Sequence, residues 1–399
     1  MQKWMQQHEK QLHIAVTGLV LLYGVLCFWL YYHQSVAVWE GQEASPYQSD
    51  LPLHISMIVE DGWYYSFTAF AYQFLYLLFG KTTIGIALLL AAASCASVYA
   101  TRELFCFCAD CGKDAGSVRM TRNWHSLLAA LTLNLVMPIF ISRVGEFRYV
   151  SYQSANIWHN STYICMKPVA LAAFLMYLKL ERTYAEGITG KQWCAFALIN
   201  ILCTGIKPSF LLAFSPVMGV FLLVDLFRGV KLSRILAFGS ALLPSGLVIL
   251  WQNAVLFGQE TGNGIAFTPW YTFSMHTAIP KLAVLCSVCF CGLVIALTVK
   301  KLATRKQYLF AVCMAALGFL EALCLSEQGT RAVDGNFVWG YSFCLSVLFT
   351  VCAVQWLQLK NTGVWRALRI GLGIIYGLHL YCGLYYFLSL VGGASYWMR

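Results

Sequence analysis

Long runs of apolar residues, separated by short polar segments, make up most of the chain. Eleven runs have a length suited to crossing a bilayer as a helix, which takes about 20 residues. They cover residues 12–32, 82–104, 124–142, 162–180, 192–206, 209–227, 235–257, 280–299, 307–325, 338–357 and 367–390. The first run exceeds the roughly 7–15 residues of a signal-peptide core, so we expect an uncleaved helix there. The pattern predicts an all-α polytopic membrane protein with residues 1–399 in one integral membrane domain.

Composition supports this prediction and changes how the net charge is interpreted. Hydrophobic residues make up 59% of the chain, charged residues 11%, and the mean hydropathy is +0.66. A soluble domain carries about 25% charged residues. A formal net charge of +10 would suggest nucleic acid in a soluble protein. Here the Lys and Arg residues occupy short loops between the spans, which is a feature of membrane topology, so we expect no nucleic-acid partner.

The basic loops also predict an orientation. When the N-terminus is placed in the cytoplasm, most of the 27 Lys and Arg residues fall on the cytoplasmic side, as the positive-inside rule requires. The outer loops then hold more than half of the 17 Asp and Glu residues, together with many aromatic residues. We therefore expect a multi-pass protein of the cell (plasma or inner) membrane whose active site faces outward.

The first outer loop, about residues 33–81, contains the stretch Ser49-Asp-Leu-Pro-Leu-His54. Ser49 or Asp50 can cap a helix, and Pro52 suits its first turn. Asp50 and His54 are four residues apart and share one helical face. We interpret the stretch as a short interfacial helix that presents a candidate catalytic carboxylate and imidazole. The alternative is an ordinary solvated loop helix.

Two further outer segments carry candidate substrate-binding residues. One contains Arg148 and then Trp158-His159-Asn160, a combination of stacking and hydrogen-bonding groups that is typical of sugar recognition. The other contains Lys207, which stands between two apolar runs. A lysine there is costly unless it meets water or a partner, so we favour a lipid phosphate as its ligand over an ordinary loop position.

The stretch from Glu327 to Tyr341 is more polar than topology requires. Arg331 could clamp phosphate oxygens because its planar guanidinium matches their geometry. Glu327 and Asn336 are candidate substrate-binding residues beside it. A Glu327–Arg331 ion pair that only satisfies itself is the alternative.

These features together resemble the GT-C superfamily of integral-membrane glycosyltransferases, in particular its bacterial YfhO-like and related branches. The match lies in the Asp50-Leu-Pro-Leu-His54 pattern in the first outer loop, the many spans, and the later outer cations Lys207 and Arg331. The loop holds no Asp-x-Asp pair, which separates the chain from the metal-dependent branches. A divalent cation is therefore an open question, and no metal ligands are assigned.

The resemblance implies an inverting enzyme that uses a polyprenyl-phosphate sugar as donor. The acceptor would be a cell-envelope glycan or lipid on the outer face of the membrane. Asp50 would remove the proton from the acceptor hydroxyl, and Lys207 or Arg331 would stabilise the leaving phosphate. Trp158, His159 and Asn160 would hold the sugar.

Three alternatives use the same composition differently. A Wzy-like polysaccharide polymerase has a similar number of spans but a large outer loop with several arginines, whereas the outer arginines here are few. A non-enzymatic flippase or transporter of lipid-linked sugars predicts polar residues through the middle of the spans. A structural membrane subunit leaves the polar outer loops unexplained.

Overall fold

The computed structural model describes residues 8–37, 45–80, 83–110, 123–257, 264–359 and 365–399. The side chains of residues 330, 331 and 333 lie outside that description. Nearly all the described secondary structure is helical, as the apolar runs predict. The helices are α1 (Glu9–Val36), α2 (Leu51–Val59), α3 (Phe67–Phe79), α4 (Ile84–Asp110), α5 (Trp124–Leu133), α6 (Ser161–Leu180), α7 (Gly190–Ile206), α8 (Ser209–Phe227), α9 (Leu232–Gly239), α10 (Leu243–Phe257), α11 (Tyr271–Ser274), α12 (Pro280–Leu302), α13 (Lys306–Cys324), α14 (Val338–Gln358) and α15 (Arg366–Val391).

Two short strands, β1 (Ile265–Phe267) and β2 (Leu325–Glu327), form an antiparallel ribbon. Its register pairs Ala266 with Ser326. A 3₁₀ turn over Gly329–Asp334 follows β2 and leads to the start of α14. This places Glu327 and the residues before α14 on the same side of the bundle as the end of α10.

Among the described residues, nine helical segments are long and apolar enough to cross a membrane. They are Glu9–Val36, Ile84–Asp110, Ser161–Leu180, Ser209–Phe227, Leu232–Leu256, Pro280–Leu302, Lys306–Cys324, Val338–Gln358 and Arg366–Val391. The prediction of a multi-pass α-helical membrane protein is thereby confirmed, and the lipid bilayer is its partner. The count of eleven spans stays a prediction.

Helix α14 is at the centre of the bundle. In the most apolar 18-residue stretch of α14, 94% is buried inside the protein, whereas the corresponding figure for the peripheral helix α15 is 28%. It packs against α4, α8, α12 and α13. The cavity described below lies at the N-terminal end of α14.

The predicted span 124–142 is the largest difference between expectation and structure. Helix α5 ends at Leu133, and residues 134–160 follow an irregular path that is buried for much of its length. Asn134 ends the helix, where its side-chain amide donates to the Thr101 hydroxyl (3.0 Å) and to the Ala130 carbonyl (2.9 Å). An apolar run predicts burial, but not whether the buried backbone is helical.

Backbone groups of this irregular segment, which we call the buried loop (residues 134–160), bond to neighbouring helices. The Met137 amide donates to the His379 carbonyl (3.1 Å), and the Ile139 amide donates to the Cys286 carbonyl (3.1 Å). Gly383 permits the approach, because a Cβ at that position would clash with the Leu135 carbonyl oxygen. Irregular backbone is tolerated at membrane depth only when protein or a wet cavity satisfies it. The buried loop meets that condition.

A buried lysine on α6 helps to fix the path of the buried loop. The Lys167 ammonium on α6 donates to the Asn156 side-chain oxygen (2.5 Å). The Asn156 amide nitrogen donates to the carbonyls of Leu133 (3.0 Å) and Val136 (2.8 Å). These bonds join the two ends of the buried loop and position the residues that follow Asn156.

Candidate active site

A cavity of about 610 Å³ lies where α2, the buried loop, the junction between α7 and α8, and the start of α14 meet. Five predicted site residues from different segments line it together: Asp50, His54, His159, Asn160 and Lys207. Asn336 lines it as well. Its volume is within the roughly 300–1,000 Å³ of typical ligand pockets.

Asp50 immediately precedes α2, which has Pro52 in its first turn as the sequence predicts. The Asp50 carboxylate makes no capping bond to the helix. Instead its Oδ2 accepts a hydrogen bond from the Asn160 amide nitrogen (2.8 Å), while the Asp50 backbone amide donates to the His159 carbonyl (3.3 Å). The carboxylate is therefore oriented by the end of the buried loop.

Asn160 is held in a single orientation by the bonds to its oxygen. It caps α6, where its Oδ1 accepts from the Tyr163 amide (3.0 Å) and the Thr162 hydroxyl (2.9 Å). Only the amide nitrogen can then point at Asp50. Since both ends of the Asn160 amide bond protein groups, its role here is to position Asp50, in addition to its contact with the cavity.

Lys207 supplies the cation. Helix α7 ends at Ile206, and Lys207 has an extended backbone (φ −157°, ψ 122°) before Pro208. Its ammonium donates to the Thr162 hydroxyl (3.1 Å) and the Asn160 oxygen (3.5 Å), and it lies 5.0 Å from the centre of the Trp339 ring. The extended backbone thus places the Lys207 ammonium at the oxygen of the Asn160 amide, whose nitrogen contacts the Asp50 carboxylate.

The electrostatic balance suits Asp50 to proton transfer. Its pKa is raised to about 6, chiefly by burial and to a smaller extent by the Asp334 charge, while the Asn160 hydrogen bond and the Lys207 charge oppose this shift. A carboxylate with a pKa near the working pH is an effective general base. Lys207 offers a charge that can stabilise an anion formed in the same cavity.

Two of the three cavity histidines, His54 and His159, are neutral at pH 7. Burial, assisted by the Lys207 charge, lowers the pKa of His54 to about 3 and that of His159 to about 3. The His54 Nδ1 lies 2.9 Å from the Ser161 hydroxyl, and the His159 ring stacks on Tyr396 with 4.3 Å between ring centres. These imidazoles can exchange hydrogen bonds, but they do not carry a charge toward a phosphate.

Two predicted substrate-binding residues lie away from the cavity wall. The Arg148 Nε donates to the Arg399 carbonyl (3.0 Å), and its guanidinium lies over the rings of Phe140 and Tyr385. Trp158 is buried in the core, where its indole nitrogen donates to the Tyr23 hydroxyl (3.2 Å). Its ring points inward although His159 and Asn160 beside it reach the cavity. We assign neither residue to substrate.

Part of the polar stretch from Glu327 to Tyr341 contributes to the cavity. Asn336 lines the cavity and is held by Glu327, whose Oε2 accepts from its amide nitrogen (2.8 Å), and by Trp339, whose indole nitrogen donates to its oxygen (3.0 Å). Glu327 thus supports the wall from β2. The side chain of Arg331 lies outside the described residues, so the predicted phosphate clamp stays a prediction.

Several wall residues were not singled out from the sequence. Asp334 and Trp339 belong to the polar stretch from Glu327 to Tyr341, and Tyr149 stands beside Arg148, so these were within reach of sequence reasoning. Tyr396 and Trp397 follow the last span and have the pattern of an interface belt. Only the fold shows that they close the cavity.

Within the described ranges, no group of three or more His, Cys, Asp or Glu side chains is arranged to hold a metal ion. No protein-family model and no curated protein sequence matches the chain.

Proposed function

We propose that this protein is an integral-membrane glycosyltransferase of GT-C type. It transfers a sugar from a polyprenyl-phosphate donor to a cell-envelope glycan or lipid acceptor. In this proposal the N-terminus is cytoplasmic, the cavity opens on the outer face of the cell membrane, α2 lies flat at the interface, and the chain crosses about eleven times.

One observation carries the proposal. The Asp50 carboxylate, the Asn160 amide and the Lys207 ammonium stand in sequence along one wall of a cavity of about 610 Å³. Glycosyl transfer from a lipid phosphate requires a base for the acceptor hydroxyl and a cation for the departing phosphate. The wall offers both, side by side, in a chain that has nine membrane-capable helices among its described residues.

The reaction follows from these groups. Asp50 accepts the proton of the acceptor hydroxyl as its oxygen attacks the anomeric carbon of the donor sugar. The bond from that carbon to the phosphate oxygen breaks, and the lipid phosphate leaves with an added negative charge. Lys207 stabilises this charge, and Asn160 keeps base and cation at a fixed spacing. Attack opposite the leaving group inverts the anomeric centre.

The test uses the full chain, purified in detergent, with a panel of polyprenyl-monophosphate and polyprenyl-diphosphate sugars. Release of lipid phosphate is followed for wild type and for Asp50→Asn. Turnover of a monophosphate donor by wild type, lost in Asp50→Asn, is the expected result. Turnover of diphosphate-linked oligosaccharides alone would favour the Wzy-like polymerase. Binding without turnover that is equal in both proteins would overturn the catalytic proposal and favour a transporter.

A further inference from the structure

Six ring side chains line one side of the cavity and form what we call the aromatic wall: Tyr149, His159, His276, Trp339, Tyr396 and Trp397. They come from the buried loop, the segment after α11, the start of α14 and the segment after α15. The proposed reaction uses none of them. The aromatic wall is therefore available to contact another part of a ligand in the cavity.

The wall begins at the cation and leads away from it through successive ring contacts. Lys207 lies over Trp339, whose ring centre is 5.8 Å from that of His159. His159 stacks on Tyr396 at 4.3 Å, and its ring is crossed by the edge of Tyr149 at 4.5 Å. The first part of the wall thus borders the Asp50 and Lys207 end of the cavity.

The second part continues beyond Tyr396. The Tyr396 ring centre lies 5.2 Å from that of Trp397, which lies 5.2 Å from that of His276. Phe147 supports both Trp397 and His276 from behind with edge contacts. Trp397 and His276 are half-buried and still line the cavity. Three ring contacts therefore separate Trp397 from Trp339, the ring beneath Lys207.

Hydrogen-bonding groups without charge accompany the far part. Gln153 lines the cavity, and its neighbour Ser151 donates to the His276 carbonyl (2.8 Å), which ties this stretch to the Trp397 end. Burial lowers the pKa of His276, which favours the uncharged imidazole, although the Glu146 carboxylate opposes this shift. Flat apolar rings beside neutral amide and imidazole groups suit the C–H faces and hydroxyls of sugars.

We propose that the Trp397 end of the cavity is a second sugar subsite, which binds the unit of the acceptor next to the reacting one. The acceptor is then a glycan of at least two sugar units, and the protein extends existing chains. The inference rests on the proposed function for the reacting unit at Asp50, and it adds the length of the acceptor.

The test separates acceptor binding from transfer. Binding of mono-, di- and trisaccharides of glucose, galactose, mannose and N-acetylglucosamine is measured on the full chain in detergent without donor. The proteins are wild type, Trp397→Leu, Trp397→Phe and, as a matched control, Trp365→Leu, since Trp365 is 78% exposed and outside the cavity lining. The same saccharides are then used as acceptors with the donor that wild type turns over.

For one sugar series, we expect wild type to bind the disaccharide at least about five-fold more tightly than the monosaccharide, the scale of one aromatic contact. Trp397→Leu should weaken disaccharide binding more than monosaccharide binding and so remove this preference, whereas Trp397→Phe and Trp365→Leu should keep it. Equal binding at all lengths, no binding by any series, or an equal loss for monosaccharide and disaccharide in Trp397→Leu would overturn the subsite. Length-dependent binding without any transfer would instead overturn the proposed function and leave the subsite standing.

Discussion

Two asparagines of the buried loop each form a pair with a lysine, and in both pairs the lysine ammonium donates to the asparagine side-chain oxygen. The Lys167 ammonium donates to the Asn156 oxygen at 2.5 Å, and the Lys207 ammonium donates to the Asn160 oxygen at 3.5 Å. Asn156 and Asn160 are four residues apart, and Asn160 caps the helix that carries Lys167. The two pairs differ in what else each asparagine holds.

The amide nitrogen of Asn156 donates to two backbone carbonyls, whereas that of Asn160 donates to the Asp50 carboxylate. Lys167 borders a void of about 20 Å³, room for about one water. Lys207 lines the cavity of about 610 Å³. One pair therefore fastens backbone, and the other joins a base to a cation in front of a ligand-sized space.

A lysine in or beside an apolar run therefore has no single role, since Lys167 lies within α6 and Lys207 follows the end of α7. The Lys167–Asn156 pair anchors the buried loop. The loop in turn positions His159 and Asn160 at the cavity, where Asn160 pairs with Lys207. Substitutions in the first pair should therefore lower stability, and substitutions in the second pair should lower turnover. The following predictions test that division.

Asp50→Asn should have the largest effect on rate. Loss of the base should lower turnover by about 10²–10⁴-fold, the usual contribution of general acid–base catalysis. Lipid-phosphate release under saturating donor measures it. Glu60→Gln is the matched control, because Glu60 sits at the end of the same helix and accepts from Ser56 at an exposed position. Comparable losses in both variants would contradict the assignment of Asp50.

Lys207→Met should lower turnover by roughly 10²–10³-fold, the cost of removing one group that stabilises transition-state charge. Methionine keeps the unbranched lysine side chain as far as Cε, so we expect the thermal midpoint in detergent to stay close to that of wild type. A variant that unfolds early but turns over normally would place Lys207 in the structural class with Lys167.

Asn156→Leu should show the opposite behaviour. It leaves the Lys167 ammonium without the Asn156 oxygen and removes the donor of the Leu133 and Val136 carbonyls. Leaving a buried hydrogen-bonding group without its partner costs about 1–3 kcal/mol, and more for a charged group, so we expect a clear fall in thermal midpoint and yield. Turnover per folded molecule should fall far less than in Lys207→Met. Unchanged stability would remove the distinction between the pairs.

Asn160→Ser should have a smaller effect on rate. Serine is a good N-cap, so α6 should persist, but its shorter side chain does not reach Asp50. We expect roughly ten-fold slower turnover, about the value of one hydrogen bond to a charged group, with little change in stability. Loss of folding in Asn160→Ser, with Asn160→Asp folded and active, would show that Asn160 acts as a cap alone.

Much of the site could be predicted from the sequence, because the positions of several of its residues depend on short-range features of the chain. The four-residue spacing of Asp50 and His54 and the Pro52 helix start are local features, and α2 forms as they predict. Lys207 lies at a helix end because Pro208 follows it, which also is local information. Whether these residues share one cavity could not be predicted from local patterns, because it depends on how α2, the buried loop and α7 pack together.

The remainder depends on long-range packing. Residues 134–140 are mostly apolar and mostly buried, yet their backbone is irregular and bonds to α12 and α15, which no periodicity reveals. Trp158 and His159 are adjacent, and only the path of the buried loop decides that Trp158 faces the core. Arg148 bonds Arg399, 251 residues away. Such contacts follow from the fold, so a sequence pattern does not predict them.

The most direct test of the central claim is the pH dependence of kcat/KM. Because Asp50 must be ionised to accept a proton, and its pKa is raised to about 6, the rate should rise with pH through about 6 and then level off. Asp334 raises this pKa and Asn160 lowers it. We therefore predict that Asp334→Asn moves the midpoint to lower pH and Asn160→Ser moves it to higher pH. A midpoint that stays in place in both variants, or moves the same way in both, would contradict Asp50 as the base.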